Sequence, residues 1–341
     1  MASLLRQLDA VPEGFLEARP EQLADLLGGP SLIHLAGRRE QPLFVAVLQH
    51  GNETTGLLAV QALLNQYRDS ELPRALSLFV GNVDAARDGL RRLAGQPDYN
   101  RVWPGSEYPD SPEQRMMAEV LELMRARSPF ASVDVHNNTG INPHYACINR
   151  IDNRFMHLGS LFSRTLVYFI RPLGVQSMAF AGLCPSVTVE CGKVGQSAGV
   201  QHAQEFLDAC LRLSDIPGHA VAAQDVDLFH TVATVRVPQA YSFGFGEKPV
   251  DICFIDDLDR LNFRELPPGT TLAQLDGVNG LPLEASDEQG QEVAEQYFYV
   301  EDAMLRTARP LMPSMFSLDE RVIRQDCLGY LMERYPLPFS Q

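Results

Sequence analysis

The segment Gln49-His50-Gly51-Asn52-Glu53-Thr54-Thr55-Gly56 sets a histidine and a glutamate three residues apart. On a turn leaving a strand, that spacing can aim an imidazole nitrogen and a carboxylate oxygen at one point. Zinc accepts both ligand types, and a catalytic zinc takes three protein ligands and keeps a fourth position for water. The third ligand must come from elsewhere. Asp134-Val135-His136-Asn137-Asn138 offers one at the end of another apolar run. Two histidines and one carboxylate with an open position form a hydrolytic set. His-x-x-Glu alone is a weak signal, because Asn52 and Thr54 would serve equally as caps in a surface loop before a helix. His34, His144 and His202 compete for the ligand role, but structural or surface roles suit them better. His144, in the same loop as His136, is kept as a candidate for substrate contact.

The elements that must position these groups read as strands alternating with helices. Residues 43–48, 76–80, 131–135 and 186–189 are short apolar runs rich in β-branched residues, as buried strands are. Residues 55–67, 113–127 and 200–213 have helical spacing, and Ser111-Pro112 supplies an N-cap and first-turn proline. This order predicts an α/β fold with a largely parallel sheet. His50, His136 and Glu190 each fall just beyond a strand's carboxyl end, the edge at which open α/β sheets bind ligands. Residues 1–30 read as an amphipathic helical segment that stops at Gly28-Gly29-Pro30. Near residue 215 the pattern changes to β-like alternation, so the expected division is an α/β domain over 1–215 and a smaller β-rich domain over 216–341. In the latter, residues 300–312 and 318–334 read as mainly helical or irregular.

The chain has 341 residues, 45% of them hydrophobic, and a net charge of −15. It can bury a large core without disulfides. Its acidity argues against nucleic acid and anionic membranes as partners, and an anionic substrate requires arginines gathered at one place. There is no cationic-then-apolar leader and no apolar run of the roughly 18–20 residues that span a bilayer. The six cysteines are scattered with no Cys-x-x-Cys pair, which predicts free thiols and a cytoplasmic location.

Four ordered motifs, His50-Gly51-Asn52-Glu53-Thr54-Thr55-Gly56, Asn100-Arg101, Asp134-Val135-His136-Asn137-Asn138-Thr139-Gly140 and Val189-Glu190-Cys191-Gly192-Lys193, resemble the succinylglutamate desuccinylase and aspartoacylase family, relatives of the zinc carboxypeptidases. The resemblance covers roughly residues 40 to 215 and extends more faintly beyond. It implies a carboxypeptidase-like α/β domain followed by a β-rich one, and hydrolysis of an amide joining an acyl group to an amino acid. It implies one zinc per chain held by His50, Glu53 and His136, with Glu190 as the base that activates the metal-bound water. It also implies an arginine for the oxyanion about eight residues before the Asn-Arg pair. Arg92 is the choice here, with Arg91 and Arg87 as alternatives. Asn100 and Arg101 are expected to bind the substrate carboxylate through a guanidinium fork and an added amide donor.

The sequence departs from the family at two places. Residues 176–181 lack the arginine that acetyl-aspartate specificity uses, the nearest being Arg171, and Met304 and Leu305 stand where a C-terminal tyrosine is expected. A less polar acyl group or a different amino acid suits these changes. The expectation is therefore a deacylase of a small anionic N-acyl amino acid, and a homo-oligomer is compatible with it. A zinc carboxypeptidase acting on short peptides is the alternative in the same chemistry, and a non-catalytic metabolite-binding module the alternative outside it.

Overall fold

Every residue of Leu43–Val47 is buried, with Leu43, Val45 and Val47 in one hydrophobic cluster and Phe44 and Ala46 in another. A strand apolar on both faces has to be covered on both, as in α/β sheets whose crossover helices pack above and below. The computed structural model, which describes residues 3–246 and 248–337, has that arrangement.

In chain order the strands are β1 (Arg6–Leu8), β2 (Ser31–Leu35), β3 (Leu43–Val47), β4 (Leu76–Val80), β5 (Ala131–Asn138), β6 (Tyr145–Ile148), β7 (Thr165–Tyr168), β8 (Ser186–Lys193) and β9 (Asp227–Arg236). They continue as β10 (Phe243–Phe245), β11 (Ile252–Phe254), β12 (Thr271–Leu275), β13 (Glu284–Asp287), β14 (Phe298–Glu301), β15 (Met304–Thr307), β16 (Met312–Ser314) and β17 (Gly329–Arg334). The helices are α1 (Leu23–Leu27), α2 (Thr55–Gln66), α3 (Val83–Arg87), α4 (Pro112–Arg127), α5 (Asn153–Ser160), α6 (Gln176–Phe180), α7 (Ser197–Arg212), α8 (Ala294–Tyr297) and α9 (Glu320–Gln325).

One large mixed, largely parallel sheet runs β1-β2-β4-β3-β5-β8-β6-β7-β9-β17-β16, with β13 also on β9. Its centre, β4-β3-β5-β8, is parallel throughout, so the exits of β3, β5 and β8 share one edge. Helices α2 and α7 cover one face with Val60, Leu63, Phe206 and Leu207, and α4 covers the other with Met116, Met117, Val120 and Met124. Helix α4 begins as its sequence predicts, with the Ser111 side chain accepting from Gln114 N at 3.1 Å. A second sheet, β10-β11-β12-β15-β14, lies C-terminal and has its own core around Phe254, Leu272, Phe298 and Leu305.

The expected boundary near 215 falls between α7 and β9. The strands after it both extend the large sheet and build the second one. All six cysteines are unpaired, and all but Cys253 are buried. Among the described residues, no helix is long and apolar enough to cross a membrane.

Two expectations fail. The N-terminal segment, whose first two residues lie outside the described ones, forms only β1, a short 3-10 turn at Pro20–Gln22 and α1. Pro12, Gly14 at φ 83° and Pro20 interrupt any longer helix, while Phe15, Leu23 and Leu27 are buried all the same. Residues 298–307, partly read as helical, are instead the hairpin β14-β15. Asp302 and Ala303 turn it at φ 51° and 58°, the left-handed pair that suits a two-residue hairpin. Residues 329–334 are likewise not helical, because they pair with β9.

Trp103 is fully buried, edge-on to Phe44, Phe79 and Phe180 at 6.5, 5.8 and 5.8 Å, and its Nε1 donates to Gln49 Oε1 at 2.6 Å. Trp103→Ala is expected to cost about 3–5 kcal/mol of stability, read as a lowered urea midpoint, because the large cavity cannot collapse between sheet and helix.

Candidate metal centre

The chain leaves β3 through Leu48, which is buried at φ 54°. That left-handed step, unfavourable for a branched side chain, swings Gln49 and His50 out of the strand direction. Gly51 then packs on α3 so closely that a Cβ would lie 2.2 Å from Ala86 N. A glycine is therefore required between His50 and Glu53. Glu53 sits just ahead of α2, where the positive end of the helix dipole favours a carboxylate. The β5–β8 register shifts between His136 and Asn138, and this irregularity frees Asn137 N to donate to Glu53 Oε2 at 3.0 Å.

These local devices bring three groups together. His50 Nδ1 lies 2.7 Å from Glu53 Oε1, and His136 Nδ1 lies 2.8 Å from Glu53 Oε2. All three residues are buried, and one donor atom from each falls within 4.8 Å of the others. The far nitrogens face acids: His50 Nε2 is 3.0 Å from Asp98 Oδ1, and His136 Nε2 is 2.9 Å from Asp134 Oδ2. Ionised carboxylates only accept, so the space between Glu53 and each Nδ1 has to hold a proton or a cation. His50, Glu53 and His136 thus form a group that could hold a metal ion, each histidine oriented by a carboxylate as metal-bound imidazoles are.

Behind the His50-Glu53-His136 group runs a buried chain in which Trp103 donates to Gln49 and Gln49 Nε2 donates to Asp134 Oδ1 at 2.6 Å. Asn137 fastens the other side, donating to Thr55 Oγ1 and to the Gly192 carbonyl, each at 2.9 Å.

Glu190, on β8, is the cross-strand partner of His136 and lines the same pocket. Asn138 Nδ2 donates to its Oε2 at 2.6 Å. Burial, with Glu53 and Asp134 nearby, pushes its carboxyl up to about 8 against the opposing pull of His136. Burial also acts to raise Glu53, but His50 and His136 outweigh it and hold that carboxylate well below its ordinary value. His136 is driven well upward because Asp134 and Glu53 overcome the effect of its burial.

Arg92 does not join the pocket. Its Nη1 donates to the Gln96 carbonyl at 2.8 Å, and its side chain lines an adjoining outer groove that shares Arg101, Arg171, Pro172 and Asp326 with the pocket. Arg91 is the arginine at the site, with Nη1 3.5 Å from Glu53 Oε1 and Nη2 3.0 Å from Asp98 Oδ2. Its placement follows from the backbone, since Gly51 N donates to the Arg91 carbonyl at 3.1 Å. Arg87 pairs with Asp25 on the surface. Asn100 and Arg101 both line the pocket. Asn100 Oδ1 accepts from Gln176 N at 3.1 Å and its Nδ2 lies 3.2 Å from His136 Nε2. Arg101 meets Asp326 and Tyr330, two residues that sequence reasoning did not single out. Arg171 also lines the pocket, whereas His144 stacks on His202 at 4.8 Å outside it. Tyr330 means that a C-terminal tyrosine does reach the pocket even though Met304 and Leu305 do not supply one.

The succinylglutamate desuccinylase/aspartoacylase catalytic domain matches residues 43–216. The fold is similar to succinylglutamate desuccinylase from Chromobacterium violaceum, at 19% identity over 89% of this chain and 87% of that one, with a TM-score of 0.56. It is similar to a succinylglutamate desuccinylase/aspartoacylase from Rhodobacter sphaeroides, at 14% identity over 89% and 88%, with a TM-score of 0.58. Murine aminoacylase 3 gives 15% identity over 88% and 97%, with a TM-score of 0.56. A search of curated protein sequences finds no match.

Asp134→Asn keeps the shape of the side chain and removes the charge behind His136. It is expected to weaken divalent-metal binding about 10–100-fold, measured by competition with a chromophoric chelator, while the far-ultraviolet circular dichroism is unchanged.

Proposed function

Because the chain belongs to the succinylglutamate desuccinylase/aspartoacylase family, we propose that it is a zinc-dependent hydrolase of N-acyl amino acids, with His50, Glu53 and His136 as ligands and Glu190 as base. The observation that carries this reading is the meeting of a buried His-Glu-His donor set with Glu190 and Arg91 in one pocket. Two imidazole nitrogens and a carboxylate suit zinc, and three protein ligands leave a position for catalysis. Bound there, zinc lowers the pKa of a water from 15.7 toward about 7 and polarises an amide carbonyl.

The residues of the chain divide the remaining work. Glu190 takes a proton from the attacking water on its carboxylate and returns it to the leaving nitrogen. The C–O bond forms as the carbonyl π pair moves onto oxygen, the C–N bond breaks when that pair returns, and the products are a carboxylate and an amine. Asn138 holds one oxygen of Glu190, which fixes the carboxylate for both transfers. Arg91 is the cation beside the ligands, and we assign it the negative charge that develops on the carbonyl oxygen. Asn100 steadies His136, and Arg101 receives the substrate's α-carboxylate. A cavity of about 100 Å³ favours a small N-acyl compound over a peptide.

Purified protein is expected to hold close to one zinc per chain and to release free amino acid from N-acyl amino acids in preference to dipeptides. Glu190→Gln should keep the zinc and lose about 10²–10⁴-fold in kcat. Full activity in that variant, or a metal content near zero in the active protein, would end the proposal.

A further inference from the structure

Three guanidinium groups line the pocket among the described residues: Arg91, Arg101 and Arg171. Each already faces a carboxylate of the chain. Arg91 Nη2 lies 3.0 Å from Asp98 Oδ2 and 3.1 Å from Asp326 Oδ2. Arg101 Nη2 donates to both oxygens of Asp326, at 3.1 and 3.2 Å, and Arg171 Nη1 donates to Glu107. Asp326 therefore bridges the two arginines nearest the ligands, in the manner of a carboxylate bound from solution.

Asp326 is no freely swinging surface acid. Its side chain is 20% exposed, its amide donates to the Val322 carbonyl at 3.0 Å at the end of α9, and its own carbonyl accepts from Arg236 Nε at 3.4 Å. Burial alone would raise its carboxyl, but Arg101 and Arg91 hold it below the ordinary range, so the bridge is charged. A substrate carboxylate that displaced it would leave Asp326 without its partners in a poorly solvated place.

A guanidinium has five N–H donors. The described hydrogen bonds of Arg101 use Nη1 toward the Asn100 carbonyl and Nη2 toward Asp326 and Tyr330. Nε and the second Nη1 hydrogen are left on separate edges of the group, so with Nη2 occupied Arg101 can take one carboxylate by a single hydrogen bond and has no free fork for another. A divalent ion held by His50, Glu53 and His136 would add little surplus charge, because Asp98 and Asp134 back the two histidines. Elsewhere the lining carries no free cation among the described residues: Cys147, Val167, Phe169, Val175 and Met315 alternate with the uncharged hydroxyls of Tyr145, Thr188, Thr231 and Ser314, and against these a second charge would be desolvated without an ionic partner.

We infer, resting on the hydrolase reading above, that the substrate is an N-acyl amino acid with one carboxylate and an otherwise uncharged, apolar body, and that Asp326 is the residue that excludes dicarboxylic substrates. Removing its carboxylate frees both arginines and should admit them.

The test uses zinc-loaded full-length protein with N-acetyl-leucine, N-acetyl-phenylalanine, N-acetyl-aspartate and N-succinylglutamate. The wild type should show kcat/KM at least tenfold higher for the two apolar compounds. Asp326→Ala should reduce that ratio tenfold or more, chiefly through a lower KM for the acidic pair. Asp326→Asn, which keeps the shape, should shift it the same way and stands in if the alanine variant does not fold. Calorimetric binding of the four compounds to zinc-loaded Glu190→Gln reads the preference without turnover. Wild-type preference for the acidic compounds, or an unchanged ratio in both Asp326 variants, overturns the inference while leaving the hydrolase reading intact. Apolar preference in binding with no hydrolysis of any compound by the wild type supports the inference about the pocket and overturns the hydrolase reading instead.

Discussion

The Glu53 carboxylate, shared between His50 Nδ1 and His136 Nδ1 in a buried place, is the contact on which the rest of the site depends. A carboxylate taken out of water has to be compensated by hydrogen bonds, dipoles or cations. Glu53 has the amide of Asn137, the start of α2 and two imidazoles, and each of these exacts something from the backbone. The amide is available only because the β5–β8 register slips. The helix starts at the right place only because the chain turns sharply at Leu48 and squeezes past α3 at Gly51. The irregularities of this region are the local cost of one desolvated charge.

The same constraint explains why an aromatic core lies under a polar site. His136 is held by Asp134, Asp134 by Gln49, and Gln49 by the indole of Trp103, itself wedged among Phe44, Phe79 and Phe180. Gln49 is hydrogen-bonded on both sides, to Trp103 and Asp134, while Asp134 meets His136 as an ion pair, and such a buried polar line adds rigidity where its members are partnered. The covering of one sheet face and the orientation of one ligand are thus a single packing problem.

Short-range patterns made the ligands legible. His50, Glu53 and His136 stand where apolar runs end, and an apolar run that must be a buried strand fixes both its own direction and the edge at which it stops. Glu190 is readable for the same reason. The arginine was not, since Arg91 and Arg92 are adjacent in an irregular loop after α3, and which of them turns inward is decided by the backbone bond from Gly51 to the Arg91 carbonyl. Asp326 and Tyr330 gave no local signal at all. They reach the pocket because β17 pairs with β9, an association over roughly a hundred residues of sequence that periodicity does not report. The C-terminal hairpin was misread because its residues carry no strong alternation, and the turn depends on two positive-φ residues that are not glycine.

Charge counting connects these pieces. Glu53, Asp98, Asp134, Glu190 and Asp326 meet at the site with Arg91 and Arg101 as the permanent cations among them, the third lining arginine, Arg171, being paired with Glu107. Such a cluster must import positive charge. Protons are one source: His136 is pushed up by Asp134 and Glu53 against its burial, and Glu190 is raised by burial and by the other acids. A divalent ion is the other, and it would supply two charges at the point where the two Nδ1 atoms converge on Glu53. Metal binding and proton binding are therefore alternatives at this site, and taking up the metal releases protons. The acidity that seemed to argue against an anionic ligand instead specifies a cation first and, after it, room for a single carboxylate.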